Sequence, residues 1–137
     1  MKKQTVFFSV FMLLLTVSCV DQTPTVYTSI SGNWRCEESS VLGSRVYVVE
    51  IEKTNKTNVQ EYILSNFHNV DINEFVFSTL SGSKLTINPS QSIGSSQINI
   101  LSGSGDIIGT DFKRINFNYT IFDGQNNIPV TATYTRQ

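Results

Sequence analysis

The chain has 137 residues, 39 % of them hydrophobic and 15 % charged, which is enough for one domain with a packed core. Ten basic against eleven acidic side chains give a formal net charge of −1, which excludes the basic footprint of a nucleic-acid partner. Two cysteines and a single histidine exclude a disulfide framework and the Cys/His clusters of a structural metal site; no metal and no cofactor are expected.

The first element is a leader. Met1-Lys2-Lys3 precedes an almost uninterrupted apolar run from Val6 to Leu15. A short basic segment followed by about ten apolar residues is the layout of a secretory signal, well short of the roughly 20 that span a membrane. Thr16, Val17 and Ser18 then lead into Cys19. That junction resembles the lipobox of bacterial lipoproteins, with Thr16 standing where Leu is commonest; the alternative is an ordinary secretory signal with an incidental cysteine. The resemblance implies removal of residues 1–18, acylation of Cys19 and anchorage in the membrane through the N-terminal lipid. Val20 is similar to the residue that follows the cysteine in lipoproteins sorted to the outer membrane. Residues 19–31, "CVDQTPTVYTSIS", read as the lipidated cysteine and a polar tether; a dozen extended residues reach about 40 Å at most. Loss of Lys2 and Lys3 takes the ten basic side chains to eight against eleven acidic ones, so the remaining 119 residues carry a net charge of −3.

From residue 32 to 137 the hydrophobic pattern has period two. Tyr47, Val49 and Ile51 alternate with Val46, Val48, Glu50 and Glu52. Shorter runs cover residues 60–67, 74–80, 84–87 and 97–101. In "RINFNYTIF", Ile115, Phe117, Tyr119 and Ile121 share one face, and in "VTATYTR" Val130, Ala132 and Tyr134 do the same. Turn-forming residues separate the runs at 42–44, 54–58, 68–73, 81–83, 88–96 and 123–127, and Gly109-Thr110-Asp111 divides the stretch 106–122 into a hairpin. About eight strands at this spacing predict an all-β domain, a single antiparallel meander closed into a barrel so that no edge is left exposed. Eight strands leave an interior just filled by side chains or able to hold one small ligand.

At the start of the first strand stands Gly32-Asn33-Trp34, and Arg136 lies on the last strand. Gly-x-Trp at this position resembles the lipocalin and avidin (calycin) barrels. The resemblance implies that Trp34 packs across the closed end, with Arg136 stacked on its indole and Gly32 beside them. The stretches "NF" at 66–67, "SGSGDI" at 102–107 and "NYTIFDG" at 118–124 look like small barrel-shaped lipoproteins of Gram-negative anaerobes. The length suits an avidin-sized barrel better than a deep lipocalin cup, and nothing matches a biotin site.

Each candidate for chemistry has a simpler explanation. His68, three residues before Asp71, reads as a solvent-facing loop residue. Cys36 shares the strand parity of Trp34 and reads as buried and inert. Glu37-Glu38 and the pair Glu50/Glu52 read as solvated strand ends rather than catalytic carboxylates. "SGSGDIIG" lacks the Lys-Ser/Thr and helix of a phosphate loop and reads as a sharp turn or bulge. No catalytic set is expected, and the protein is not expected to be an enzyme. The leading expectation is binding of a small apolar or amphipathic ligand in the barrel mouth, lined by Tyr47, Tyr62, Phe75, Phe77, Phe117 and Tyr119. The alternative is a filled barrel that docks on an envelope protein partner, with Val46, Val48 and Phe122 on outward faces.

Overall fold

The computed structural model describes residues 26–95 and 97–137; the expected leader, Cys19 and most of the expected tether lie outside them. Alternating residues build the strands in chain order: β1 (Gly32–Ser40), β2 (Gly43–Lys53), β3 (Glu61–Ser65), β4 (Phe75–Ser81), β5 (Lys84–Ile87), β6 (Gln91–Ile93), β7 (Ile98–Ile108), β8 (Arg114–Phe122) and β9 (Asn127–Arg136). Every pairing is antiparallel. The sheet order is β5-β4-β3-β2-β1-β9-β8-β7-β6, and β5 also pairs with β7, so eight strands close into a meander barrel. This is the all-β barrel that the period-two pattern predicts.

The ninth strand is a correction. Residues 88–96 are not all turn: β6 pairs Gln91–Ile93 with Ile98–Ile100, extending the line of β5 along β7. Pro89 has no N–H to offer a ladder, and Gln91 compensates nearby. Its side-chain amide accepts from the Phe77 N–H at 2.7 Å and donates to the Phe77 carbonyl at 2.8 Å, as a strand would.

The glycine-rich stretch 102–109 has a bulge at its start and a turn at Gly109, but strand between them. Residues 102–108 continue β7 without a turn, after a bulge between Ile100 and Ser102. Gly105 sits opposite Phe117 inside the barrel, and a Cβ there would lie 2.7 Å from the Phe117 ring. Glycine is therefore required because an aromatic ring occupies the volume its side chain would take.

One end of the barrel is closed by the predicted residues. Trp34 is fully buried and its Nε1 donates to the Ile30 carbonyl at 2.9 Å. The Arg136 guanidinium lies 5.1 Å from the Trp34 ring and 4.5 Å from the Tyr27 ring, and it donates to the carbonyls of Ile30 and Ser31. Gly32 has φ +130°, and a Cβ would come within 2.7 Å of Arg136 Nη2. Ile30 is fully buried, so residues 27–31 belong to the packed end rather than to the free tether.

Inward-facing side chains fill the interior: Trp34, Phe117 and Tyr134 are at most 1 % exposed. Gly105→Ala is expected to lower the urea midpoint at unchanged m, by about 1–3 kcal/mol of overpacking. A wild-type midpoint would show that the Phe117 ring can give way.

Candidate functional site

At the end opposite Trp34, the strand parities that bury the core also carry polar groups inward. Along β1 the buried positions are Trp34, Cys36 and Glu38, while Asn33, Arg35 and Glu37 face out. Glu38 is thus separated from Glu37 and is 2 % exposed, not part of a solvated pair. On β2, Arg45 shares parity with buried Tyr47 and Val49. Register places Glu38 directly opposite Arg45.

The chain between β3 and β4 supplies the rest. A 3-10 turn, Phe67–Asn69, is flanked and interrupted by left-handed residues: Asn66 (φ 59°), His68 (φ 58°) and Asn69 (φ 54°). Asn and His tolerate this region better than branched residues do. The turn drives Phe67 and His68 into the mouth, where they are 0 % and 2 % exposed. Phe67 packs 4.7 Å from the Tyr119 ring and 6.5 Å from that of Phe117. His68 is therefore a plug residue, not a solvent-facing one; Asp71 instead accepts from the Asn73 backbone and side chain.

Glu38 is the centre of the resulting cluster. Arg45 Nη2 donates to its Oε1 at 2.6 Å, while Tyr47 and Tyr119 hydroxyls each donate to Oε2 at 2.5 Å. His68 Nδ1 lies 3.2 Å from the same oxygen and 2.9 Å from the Tyr119 hydroxyl, and its Nε2 lies 3.0 Å from Arg45 Nη2. Guanidinium only donates, so Arg45 donates to the ring, and Nδ1 faces both the Tyr119 hydroxyl and Glu38. Burial by itself raises the Glu38 pKa, but hydrogen bonds from His68, Tyr119 and Tyr47 outweigh it and hold the carboxyl down at about 2. Burial pushes the Tyr47, Tyr119 and Tyr134 hydroxyls upward, which keeps them protonated. Burial likewise pushes the Cys36 thiol up to about 12, which leaves it a poor nucleophile.

The expected lining residues divide. Tyr47, Tyr62, Phe117 and Tyr119 point inward and are buried. Phe75 and Phe77 do not: on β4 the buried positions are Val76 and Ser78, and Phe75 is 44 % exposed. Phe75 and Phe77 meet edge to face at 5.4 Å on the outer wall. Glu38, Arg45, Phe67 and His68 were the residues missing from the expected lining. Parity with Cys36 and Tyr47 is the available signal for the first two; Phe67 ends the run read over 60–67, which as a strand stops at Ser65, and no periodicity marks His68.

Open space lies outside the packed interior. A groove of about 670 Å³ runs along the outer wall of β5, β7, β8 and β9, past Thr86, Leu101, Ser104, Asn118 and Pro129. Another of about 440 Å³ crosses β1, β8 and β9 and touches Glu38 and Arg45.

Among solved structures the fold is similar to a redesigned β-barrel, mFAP1, bound to DFHBI. The TM-score is 0.52 at 17 % identity, over 78 % of this chain and 94 % of that one. At that identity the likeness speaks for the barrel fold alone. No protein-family model matches the chain, and no curated protein does.

Glu38 makes stability acid-dependent. Its ordinary pKa is 4.5, so below that pH the unfolded chain binds a proton that the folded chain refuses until about 2. The stabilisation is complete above pH 4.5 and is lost as pH falls toward 2, on the order of 2–3 kcal/mol. Urea unfolding at pH 6 and pH 2.5 should show this increment in the wild type and not in Glu38→Gln. An equal acid loss in both proteins would remove Glu38 from the account.

Proposed function

We propose that the protein is a non-enzymatic, lipid-anchored barrel of the outer membrane that takes up a small amphipathic molecule at its mouth. Phe67 and His68 are its displaceable plug. The observation that carries this reading is the buried Glu38–Arg45–His68–Tyr47–Tyr119 cluster beneath that plug. Stability alone does not call for such a cluster, because replacing buried ion pairs by apolar side chains is often neutral or stabilising. A site that must present fixed charge and hydroxyls to an incoming molecule does call for one. The plug is a single short turn outside the strand ladders, held in the mouth by its side-chain packing and hydrogen bonds.

A second reading is supported by a different observation. With Trp34, Phe67, Phe117 and Tyr134 filling the interior, the barrel can serve as a rigid stand whose outer wall docks on an envelope protein. Val46 and Val48 are 61 % and 41 % exposed there.

Residues 20–137, purified from the envelope after release of the anchor, should carry an extra mass in native mass spectrometry that disappears on denaturation. A clean apo mass, with no thermal shift across a panel of amphipathic molecules, would overturn the uptake reading. Stoichiometric recovery of one envelope protein would then support docking. Anchorage has its own check: Cys19→Ala should abolish acylation and move the protein out of the membrane fraction. Retention of Cys19→Ala in that fraction would rule out the lipid anchor.

A further inference from the structure

Resting on the uptake reading, we infer that the molecule received at the mouth is an organic cation, an amine or guanidine carrying an aromatic or short alkyl group. The chain's own Arg45 and Phe67 now hold the place of its two halves.

The asymmetry of the central ion pair gives the first half. The Glu38 side chain is 1 % exposed, whereas that of Arg45 is 36 % exposed. Glu38 is held in place from three further directions, by Tyr47 on β2, Tyr119 on β8 and His68 on the plug. Arg45 reaches it from the rim and has no comparable cage; its other contacts, to the His68 ring and carbonyl, are to the plug itself. Moving Arg45 out returns a guanidinium to water, and opening the plug removes those contacts at the same moment. Glu38 would stay behind, held by the Tyr47 and Tyr119 hydroxyls alone. Among the described residues, Arg45 and His68 are the only basic groups within ion-pair distance of it.

Phe67 gives the second half. Its ring lies on Tyr119 and close to Phe117, and when the turn withdraws it vacates an aromatic-walled space against the Tyr119 ring, whose hydroxyl holds Glu38. A buried carboxylate held by two tyrosine hydroxyls, with the Tyr119 and Phe117 rings uncovered nearby, recognises a cation by charge, hydrogen bonding and cation–π attraction together. A carboxylate ligand would meet Glu38 with like charge in a poorly hydrated site and is disfavoured there. An uncharged ligand would leave Glu38 without a cation once Arg45 had moved.

Phenethylamine, 3-phenylpropionate and phenethyl alcohol share a ring and differ in the charge of the head group. Each is titrated by calorimetry into residues 20–137, the whole closed barrel, as wild type, Arg45→Met and Glu38→Gln. Phenethylamine should bind saturably to the wild type, at least tenfold more tightly to Arg45→Met, where the competing cation is gone, and at least tenfold more weakly to Glu38→Gln. The amine should also move the His68 and Tyr119 ring signals in proton NMR of the wild type. That readout decides the matter even if a variant fails to fold. Binding of all three compounds alike, or preferentially of 3-phenylpropionate, would overturn the cation assignment while leaving uptake at the mouth intact. No binding by any of them to wild type or folded Arg45→Met would overturn both.

Discussion

Eight strands close on an interior so narrow that every inward position must be reconciled with its neighbours across the barrel. That constraint governs the rest of the molecule. It makes Gly105 obligatory beneath Phe117, because two side chains cannot share the volume. It also means that any polar residue falling on the inward parity is buried, and is tolerated only if the interior supplies its partners. Glu38 falls there by simple alternation from Trp34 and Cys36. Two strands and a loop then satisfy it: Arg45 and Tyr47 on β2, Tyr119 on β8 and His68 on the 3-10 turn between β3 and β4.

What the sequence made legible follows from where periodicity is informative. Alternation identifies the barrel and the inward faces of β1, β2, β8 and β9, while the Trp34–Arg136 pair at the closed end follows from the resemblance of Gly32-Asn33-Trp34 to the calycin barrels. It would have placed Glu38 and Arg45 inward too, had charge not been taken as a sign of solvent. The reverse mistake occurred on β4. There the aromatic character of Phe75 and Phe77 suggests lining, yet the register Ser65↔Phe75 and Ile63↔Phe77 sets them on the outer wall and leaves Val76 and Ser78 inside. Residue type and parity disagreed, and parity decided. The plug was not legible at all. His68 lies among Asn, Asp and Val in a stretch with no period, and its burial depends on three left-handed backbone positions that composition alone does not disclose.

The same confusion of residue type with role explains the glycine-rich stretch. Glycines between hydrophobic runs are most often turns, and the chain does turn at Gly109 (φ +75°). Gly103 and Gly105 serve another purpose. They pair with Tyr119 and Phe117 on β8, so two inward-facing rings meet the two residues without side chains. The small-against-large pairing is what permits Tyr119 to reach Glu38 across a filled interior.

The two ends of the barrel each use an arginine, and the contrast gives the molecule a direction. Arg136 is clamped between the rings of Tyr27 and Trp34 and bound to carbonyls of the segment entering β1; it cannot leave without unpacking Ile30 and the start of the fold. Arg45 sits at the rim against one carboxylate and a loop, with about a third of its side chain in water. One arginine is locked into the packed end and the other stands partly exposed at the rim. Because Arg136 fixes residues 27–31 at the closed end, an acyl group on Cys19 would reach the barrel through only the residues between them, about 25 Å when extended. Such an anchor would hold the closed end toward the membrane and present the plugged mouth, with Arg45 at its rim, to whatever lies beyond it.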